Sequence, residues 1–274
     1  MRRRALALAW LASVLLLGCD LSSALRPTPR RAVVHAVLDL ASLDQLIFLE
    51  WAHTGSQVSG TNSFSAIDPI VGAQVTVTAP DSTAMIAEPE IDQSSRRLIP
   101  GFYRLSLLRY ATVIRPGASY SLKVRLPSGE EISGTTTMPT ATAPTSTGLR
   151  TFRLCDTLRL RWPRVAGAAA YEVRIQIRGD QGISRPYVIF ADSVATVPGF
   201  LDDLYGDPIF VAGFTYDVVV SAVDANYYDY YRTQPDPFTP ALPSRLRGAL
   251  GVFGSVAPLV SRPVTTANCT PNRP

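Results

Sequence analysis

The chain has few of the residues that most often carry enzymatic chemistry. It contains two histidines, His35 and His53, and three cysteines in 274 residues. Neither His-Glu-x-x-His nor Gly-x-Ser-x-Gly occurs, so a zinc protease site and a serine triad lack their usual sequence signals. No segment has a convincing helical pattern, and lysine is reduced to Lys123. These absences predict a protein that is not an enzyme and that holds no metal and no cofactor.

The charge balance gives no reason to expect nucleic acid as a partner. The whole chain carries 26 basic and 22 acidic residues. Three of the basic residues, Arg2, Arg3 and Arg4, precede the apolar run 5–17; without them, 23 basic residues face 22 acidic ones. A chain so close to neutrality lacks the basic surface that binds phosphate backbones.

The beginning of the chain has the pattern of an export signal. Three arginines precede about 13 apolar residues, enough for a signal peptide but short of the roughly 20 that span a bilayer. The run ends in Gly18-Cys19, which resembles the lipobox of bacterial lipoproteins. The resemblance implies a signal peptide over 1–18 and a lipid on Cys19 that anchors the protein to the outer membrane. An ordinary secreted protein and an inner-membrane location are the alternatives, and the face of the membrane stays open.

The mature chain has the length and the patterning of two β domains. Residues 19–30 are polar and contain prolines, which predicts a tether that holds the fold away from the membrane. From residue 31 the dominant period is two; in Tyr120-Ser-Leu-Lys-Val-Arg-Leu126, for example, the even positions are apolar. We predict an all-β protein with an Ig-like or transthyretin-like β-sandwich over 31–139. A Thr/Pro/Ala-rich linker over 140–150 and a second sandwich over 151–269 follow.

The second half is similar to a fibronectin type III domain. Trp162-Pro163, followed by Tyr171-x-Val173, resembles the second and third strands of that fold, and Tyr216 stands where its tyrosine corner is expected. The resemblance implies that Trp162 and Tyr216 are core residues. The last strand is predicted over 253–265, which leaves 225–251 as a long loop.

Two cysteines remain once Cys19 is assigned to the lipid. In an oxidising compartment, Cys155 and Cys269 are predicted to form a disulfide, and two free thiols are the alternative. Closing a loop this long would contribute on the order of 4 kcal/mol in the chain-entropy model.

The predicted long loop contains a run of tyrosines that is the main candidate binding site. Tyrosine side chains combine flat apolar faces with a polar tip, and they are enriched at interfaces. The alternatives are that these residues pack the loop onto the sandwich, or that they stack on a glycan. The predicted partner-binding residues are Tyr227, Tyr228, Tyr230, Tyr231 and Arg232.

Together these features resemble an uncharacterised family of bacterial envelope lipoproteins, often encoded beside TonB-dependent transporters. The resemblance implies a membrane-anchored, non-catalytic accessory or scaffolding module for such an outer-membrane transporter or another envelope protein. A surface lipoprotein that captures glycans or peptides is the alternative. The matching segments are Gly18-Cys19, 69–77, Arg115-Pro-Gly-x-x-Tyr120-x-Leu-x-Val124, 134–139, 227–231 and 248–254.

Overall fold

Alternating apolar and polar residues form nearly all the regular structure in this computed structural model. The all-β fold class and the β-sandwich architecture are confirmed. The signal peptide, Cys19 and His53 lie outside the residues that the structure describes. Those residues are 30–52, 68–141, 145–146, 148–179, 186–200, 202, 208–232 and 245–269.

Seven strands build what we call the first unit. The strands are β1 (Ala32–Asp39), β2 (Asp44–Trp51), β3 (Gln74–Thr78), β4 (Ala84–Ile91), β5 (Leu98–Ser106), β6 (Ser119–Arg125) and β7 (Glu131–Thr137). In β6 the side chains of Tyr120, Leu122 and Val124 are buried and their neighbours are exposed, as the period of two predicts. The sheet order is β1-β2-β5-β4-β3-β6-β7, and β4 pairs with β5 on one side and with β3 on the other.

The remaining strands build the second unit. The strands are β8 (Thr145–Ser146), β9 (Arg150–Arg153), β10 (Thr157–Arg161), β11 (Ala170–Ile177), β12 (Tyr187–Ala191), β13 (Val194–Pro198), β14 (Thr215–Val223) and β15 (Leu250–Ala267). The larger sheet of this unit has the order β12-β11-β14-β15, and β10 pairs with β13 in a separate sheet. Trp162 is 6% exposed and its ring lies 5.6 Å from that of Tyr171, so it is a core residue as predicted.

The last strand belongs to both units. Its first part pairs in parallel with β1, from Val33 opposite Leu250 to Asp39 opposite Val256, and its second part pairs antiparallel with β14. The strand predicted over 253–265 is therefore longer and does not belong to the second domain alone. Within the predicted linker, β8 pairs with β15, and Ala141 just before it is buried. One hydrogen-bonded sheet thus includes every described strand of both units except β10 and β13.

A tyrosine turn recurs three times and fixes loops against strands. In each case a tyrosine is the second residue of a strand, and its hydroxyl accepts a hydrogen bond from a backbone N–H of the preceding loop. A glycine lies two residues after the donor. The turn at Tyr216 is the predicted tyrosine corner. The donor and acceptor pairs are Arg115 and Tyr120 at 2.8 Å, Val165 and Tyr171 at 2.7 Å, and Val211 and Tyr216 at 2.8 Å.

Candidate functional site

A helix stands where the sequence predicts the beginning of a long loop. Helix α1 (Ala225–Tyr231) starts at Asp224, whose carboxylate accepts a hydrogen bond from the Tyr227 N–H at 2.9 Å. Tyr227, Tyr230 and Tyr231 follow the i, i+3, i+4 spacing and share one side of this helix. Near the end of the same segment, Arg247 forms a two-way backbone bridge with Ser133 of β7. The loop prediction for 225–251 is therefore wrong at both ends of the segment.

Asp224 lies at the centre of a buried polar cluster that joins the two units. It is 6% exposed, and its Oδ2 accepts a hydrogen bond from the Thr136 hydroxyl at 2.7 Å. Its Oδ1 accepts from the Ser255 N–H at 3.0 Å. Burial raises the pKa of Asp224, and these hydrogen bonds oppose the shift. Three distant segments of the chain therefore meet at this one carboxylate.

Neighbouring side chains extend the same junction. The Asn226 amide donates to the carbonyl of Thr135 at 2.6 Å and to that of Phe253 at 2.8 Å. Gly254 lies directly beneath the helix, where a Cβ atom would come within 3.0 Å of the Tyr227 backbone nitrogen. A side chain at position 254 would therefore crowd the backbone of the helix.

The first tyrosine of the helix is tied to an ion pair whose carboxylate is buried. The Tyr227 hydroxyl donates a short hydrogen bond to Glu172, which is 3% exposed. Glu172 also accepts from Arg174 Nε at 2.9 Å. Burial, followed by the negative charge of Glu172, raises the pKa of Tyr227. This tyrosine is a neutral hydrogen-bond donor in the interior and offers almost no surface to a partner.

The second buried tyrosine packs on the first unit. Tyr230 is 5% exposed, and its ring meets the His35 imidazole edge to face at 5.6 Å. Burial lowers the pKa of His35, and Glu50, whose carboxylate lies 3.7 Å from its Nε2, opposes that shift. No group of three or more metal-ligating side chains is found among the described residues.

The outward side of the helix is only partly open. Tyr228 is half-buried, and its ring lies between Phe190 at 5.3 Å and the Arg232 guanidinium at 5.1 Å. Arg232 is exposed and pairs with Asp229 at 3.3 Å. Of the five predicted partner-binding residues, two are thus buried, Tyr228 and Tyr231 are half-buried, and one is fully on the surface. The surface that a partner could contact is the patch formed by Tyr228, Phe190 and Arg232.

A polar groove that the sequence reasoning missed opens beside the helix. It has a volume of about 540 Å³. Glu172, Arg174 and Gln176 line one wall, on the face of β11 that points away from the core, and Tyr231 also lines the groove. Asp39 and Asp44 line the other wall. Burial raises the pKa of Asp39, and the charge of Arg174 opposes the rise.

One sequence signal for this groove was available. Polar residues at positions 172, 174 and 176 alternate with Val173 and Ile175, which places all three on the outer face of a central strand. An outward face carrying both charges in the middle of a sheet is typical of a surface that contacts something polar. The opposite wall could not be foreseen, because it comes from residues more than a hundred positions earlier.

The remaining predicted site residues concern covalent features. The structure joins Cys155 and Cys269, with Cα atoms 5.6 Å apart, which supports the predicted disulfide. Beside the bridge, the Leu154 N–H donates to the Ala267 carbonyl at 3.0 Å. Within the described residues, no helix is long and apolar enough to cross a bilayer.

The matches to solved structures cover much of the chain, but their sequence identities and TM-scores are low. A two-domain fibronectin type III segment of chicken tenascin matches at 12% identity, over 72% of this chain and 92% of that one, with a TM-score of 0.21. A pullulanase from Anoxybacillus sp. LM18-11 matches at 13% identity, over 68% and 24%, with a TM-score of 0.22. Three N-terminal domains of the bacteriophage RB49 outer capsid protein Hoc match at 9% identity, over 88% and 71%, with a TM-score of 0.22. These TM-scores are too low to carry a structural conclusion.

Comparison by sequence gives a family but no activity. Among curated proteins, none matches this chain. One family model matches residues 20–259, nearly the whole length beyond the apolar N-terminal run, and it is described as a domain of unknown function. The chain therefore belongs to the DUF4249 family.

Proposed function

We propose that this protein is a non-catalytic, lipid-anchored envelope protein that serves as an accessory or scaffolding module of an outer-membrane, TonB-dependent transport system. The Gly18-Cys19 sequence supports the lipid anchor and the location in the cell envelope. The observation that carries the scaffolding role is the shared strand β15, which makes one continuous sheet of both units. A protein built in this way presents surfaces at fixed positions relative to each other.

The contact patch in this proposal is the outward side of helix α1. Tyr228, Phe190 and Arg232 combine two aromatic rings with one exposed cation. Aromatic residues and arginine are the residue types enriched at protein interfaces. Asp229, held by Arg232 and Arg245, keeps the patch in place.

Crosslinking in the native membrane tests this role. The protein is crosslinked in intact cells and recovered, and the captured partners are compared between the unchanged chain and Arg232→Glu. Arg159→Glu is the matched control, because Arg159 is an exposed strand arginine of β10, in the other sheet of the second unit. We expect the unchanged chain and the control to capture a transporter. Arg232→Glu should capture at least about fivefold less of it. Equal capture by both variants, or no reproducible partner, would contradict the proposal.

A second candidate function is the capture of glycans or peptides, and the groove favours it. Its walls combine carboxylates, a guanidinium, an amide and a tyrosine, which suits a ligand with many hydrogen-bonding groups. Thermal-shift screening with glycan and peptide libraries tests this function, because a ligand raises the melting temperature by an amount that grows with the ratio of its concentration to its Kd. Gln176→Trp places a bulky side chain in the groove and should abolish any rise in melting temperature. Arg159→Trp, in the other sheet, should preserve that rise.

A further inference from the structure

Exposed apolar side chains gather at the end of the first unit where the chain enters it. Residue Ala32, at the start of β1, pairs with Trp51, at the end of β2. Because β5 runs antiparallel to β2, its beginning at Leu98 lies at this same end. Ile91, at the end of β4, pairs with Leu98 and completes the hairpin there. The three strand spacings from β1 to β4 make this edge about 15 Å wide.

We call this surface the basal rim. Its apolar members are Ile91, Leu98 and Ile99, which are 42%, 61% and 37% exposed. Its basic members are Arg30, Arg31, Arg96 and Arg97, all exposed.

The charge of the basal rim is positive. Of the two aspartates beside it, Asp68 is paired with Arg30 at 3.0 Å. The other, Asp92, caps its own turn by accepting hydrogen bonds from the N–H groups of Ser94 and Ser95. Aliphatic side chains interspersed with arginines suit the interface of an anionic bilayer, where the apolar parts enter the headgroup region and the cations meet lipid phosphates.

The position of the chain terminus brings a bilayer within reach of this surface. Eleven residues, 20–30, separate Cys19 from Arg31. Such a segment spans at most about 40 Å when fully extended and about 18 Å as an ordinary coil. A lipid on Cys19 would therefore hold the basal rim close to the membrane surface without any further partner.

The second unit lies at the other end of the first. Strand β1 runs away from the basal rim to Asp39, and β15 runs parallel to it and continues into the second unit. The basal rim and the second unit therefore occupy opposite ends of the shared sheet. A membrane against the basal rim would leave the groove unobstructed, because Asp39 and Asp44 lie at the other end of β1 and β2.

We infer that the basal rim docks on the anionic phospholipid surface of the membrane that carries the lipid of Cys19. This inference rests on the lipid anchor of the proposed function. The first unit lies on the bilayer instead of being held away from it by the tether, and the second unit points outward. The occupant of this apolar surface is lipid and not a second protein.

Two leucines provide a matched pair of probe sites. Leu98 is 61% exposed on the basal rim, and Leu108 is 68% exposed in the short 3-10 helix Leu107–Tyr110, beyond the opposite end of β5. Leu98→Cys and Leu108→Cys place an environment-sensitive fluorophore at either end, while Cys155 and Cys269 stay bonded. The full-length acylated proteins are reconstituted into vesicles of phosphatidylethanolamine and phosphatidylglycerol that contain a spin-labelled quencher lipid.

Quenching of the two fluorophores decides the inference. At position 98 we expect a blue-shifted emission and quenching at least about threefold stronger than at position 108, because only the basal rim enters the headgroup region. Equal quenching at both positions would overturn the docking and leave the lipid anchor intact. Mass spectrometry of the same samples separates the two ideas, since an unmodified Cys19 would overturn the anchor and the docking together.

Discussion

The second unit is closed by residues of its own sequence, whereas the first is completed by a strand from the far end of the chain. Cys155 and Cys269 join the beginning and the end of the second unit, and Trp162 and Tyr216 fill and fasten its core. In the first unit, β1 lies between β2 and β15, and the cluster around Asp224 seals that contact. Neighbourhood along the chain therefore defines the second unit but not the first.

The largest expected effect is on the stability of the second unit, which its own disulfide closes. The double variant Cys155→Ala, Cys269→Ala should lose about 4 kcal/mol of unfolding free energy, because the disulfide closes a loop of more than a hundred residues in the unfolded chain. Urea denaturation in a Trp51→Phe background measures this, with Trp162 reporting on the second unit. A loss below about 1 kcal/mol would mean that the second unit does not depend on its covalent closure.

The next effect tests the completion of the first unit by β15. Gly251 has a φ of +101°, and a Cβ atom there would lie 2.0 Å from the carbonyl oxygen of Val34. Gly251→Ala should cost about 3 kcal/mol, since it combines backbone strain with a clash against β1. Gly129→Ala is the control, because its φ of +90° carries the same strain while no atom lies within 4 Å. Equal losses in chemical denaturation would show that the contact with β1 adds nothing.

The third effect concerns the buried seal between the units. Asp224→Ala should destabilise the fold by about 2 kcal/mol, because it removes a helix cap and leaves buried donors without an acceptor. Asp224→Asn retains an acceptor oxygen and should cost less. If the two substitutions cost the same, hydrogen bonding to this residue is not what seals the junction.

The pH dependence of the same pair gives a second measurement. Since the pKa of Asp224 is raised in the folded state, its carboxyl keeps its proton to higher pH in the folded chain than in the unfolded one. Stability from this group should therefore be highest below the ordinary value of 3.8 and should fall as the pH rises through the raised value. The difference between Asp224→Asn and the unchanged chain should shift in favour of the variant over that window. A difference that is flat with pH would contradict this.

The smallest expected effect comes from the tyrosine turn, which occurs in both units. Tyr120→Phe in the first unit and Tyr216→Phe in the second each remove a hydroxyl that accepts a backbone N–H at 2.8 Å. Each should cost about 1 kcal/mol, the net value of one such hydrogen bond. Thermal unfolding of the two variants should give similar losses, and a large difference would show that the turns are not equivalent.

The strands that could be predicted are those with a clean alternation on a half-buried sheet. Strand β6 is of this kind, whereas β4 was missed. Its Pro89 argues against a central strand. Its Glu90 is a residue type expected on the surface, but in the fold it is buried and paired with Arg104 of β5. A buried acid becomes acceptable only through a partner that the local sequence does not show.

The junction was the least predictable part of the candidate site. Helix α1 has seven residues, too few for a clear period of 3.6, although Asp224 followed by the spacing of Tyr227, Tyr230 and Tyr231 was a usable signal. The pairing of β1 with β15 joins residues more than two hundred positions apart in a parallel register. No local pattern encodes such a contact. The groove depends on it and was therefore missed as well.

The strand shared by both units also fixes the order in which the protein can mature. Ribosomes make the chain from residue 1 onward, and independent domains fold in that order as they emerge. Here residues 250–256, which pair with β1, are made more than two hundred residues after it. The first unit therefore stays incomplete until β15 has been made, however early its own seven strands emerge.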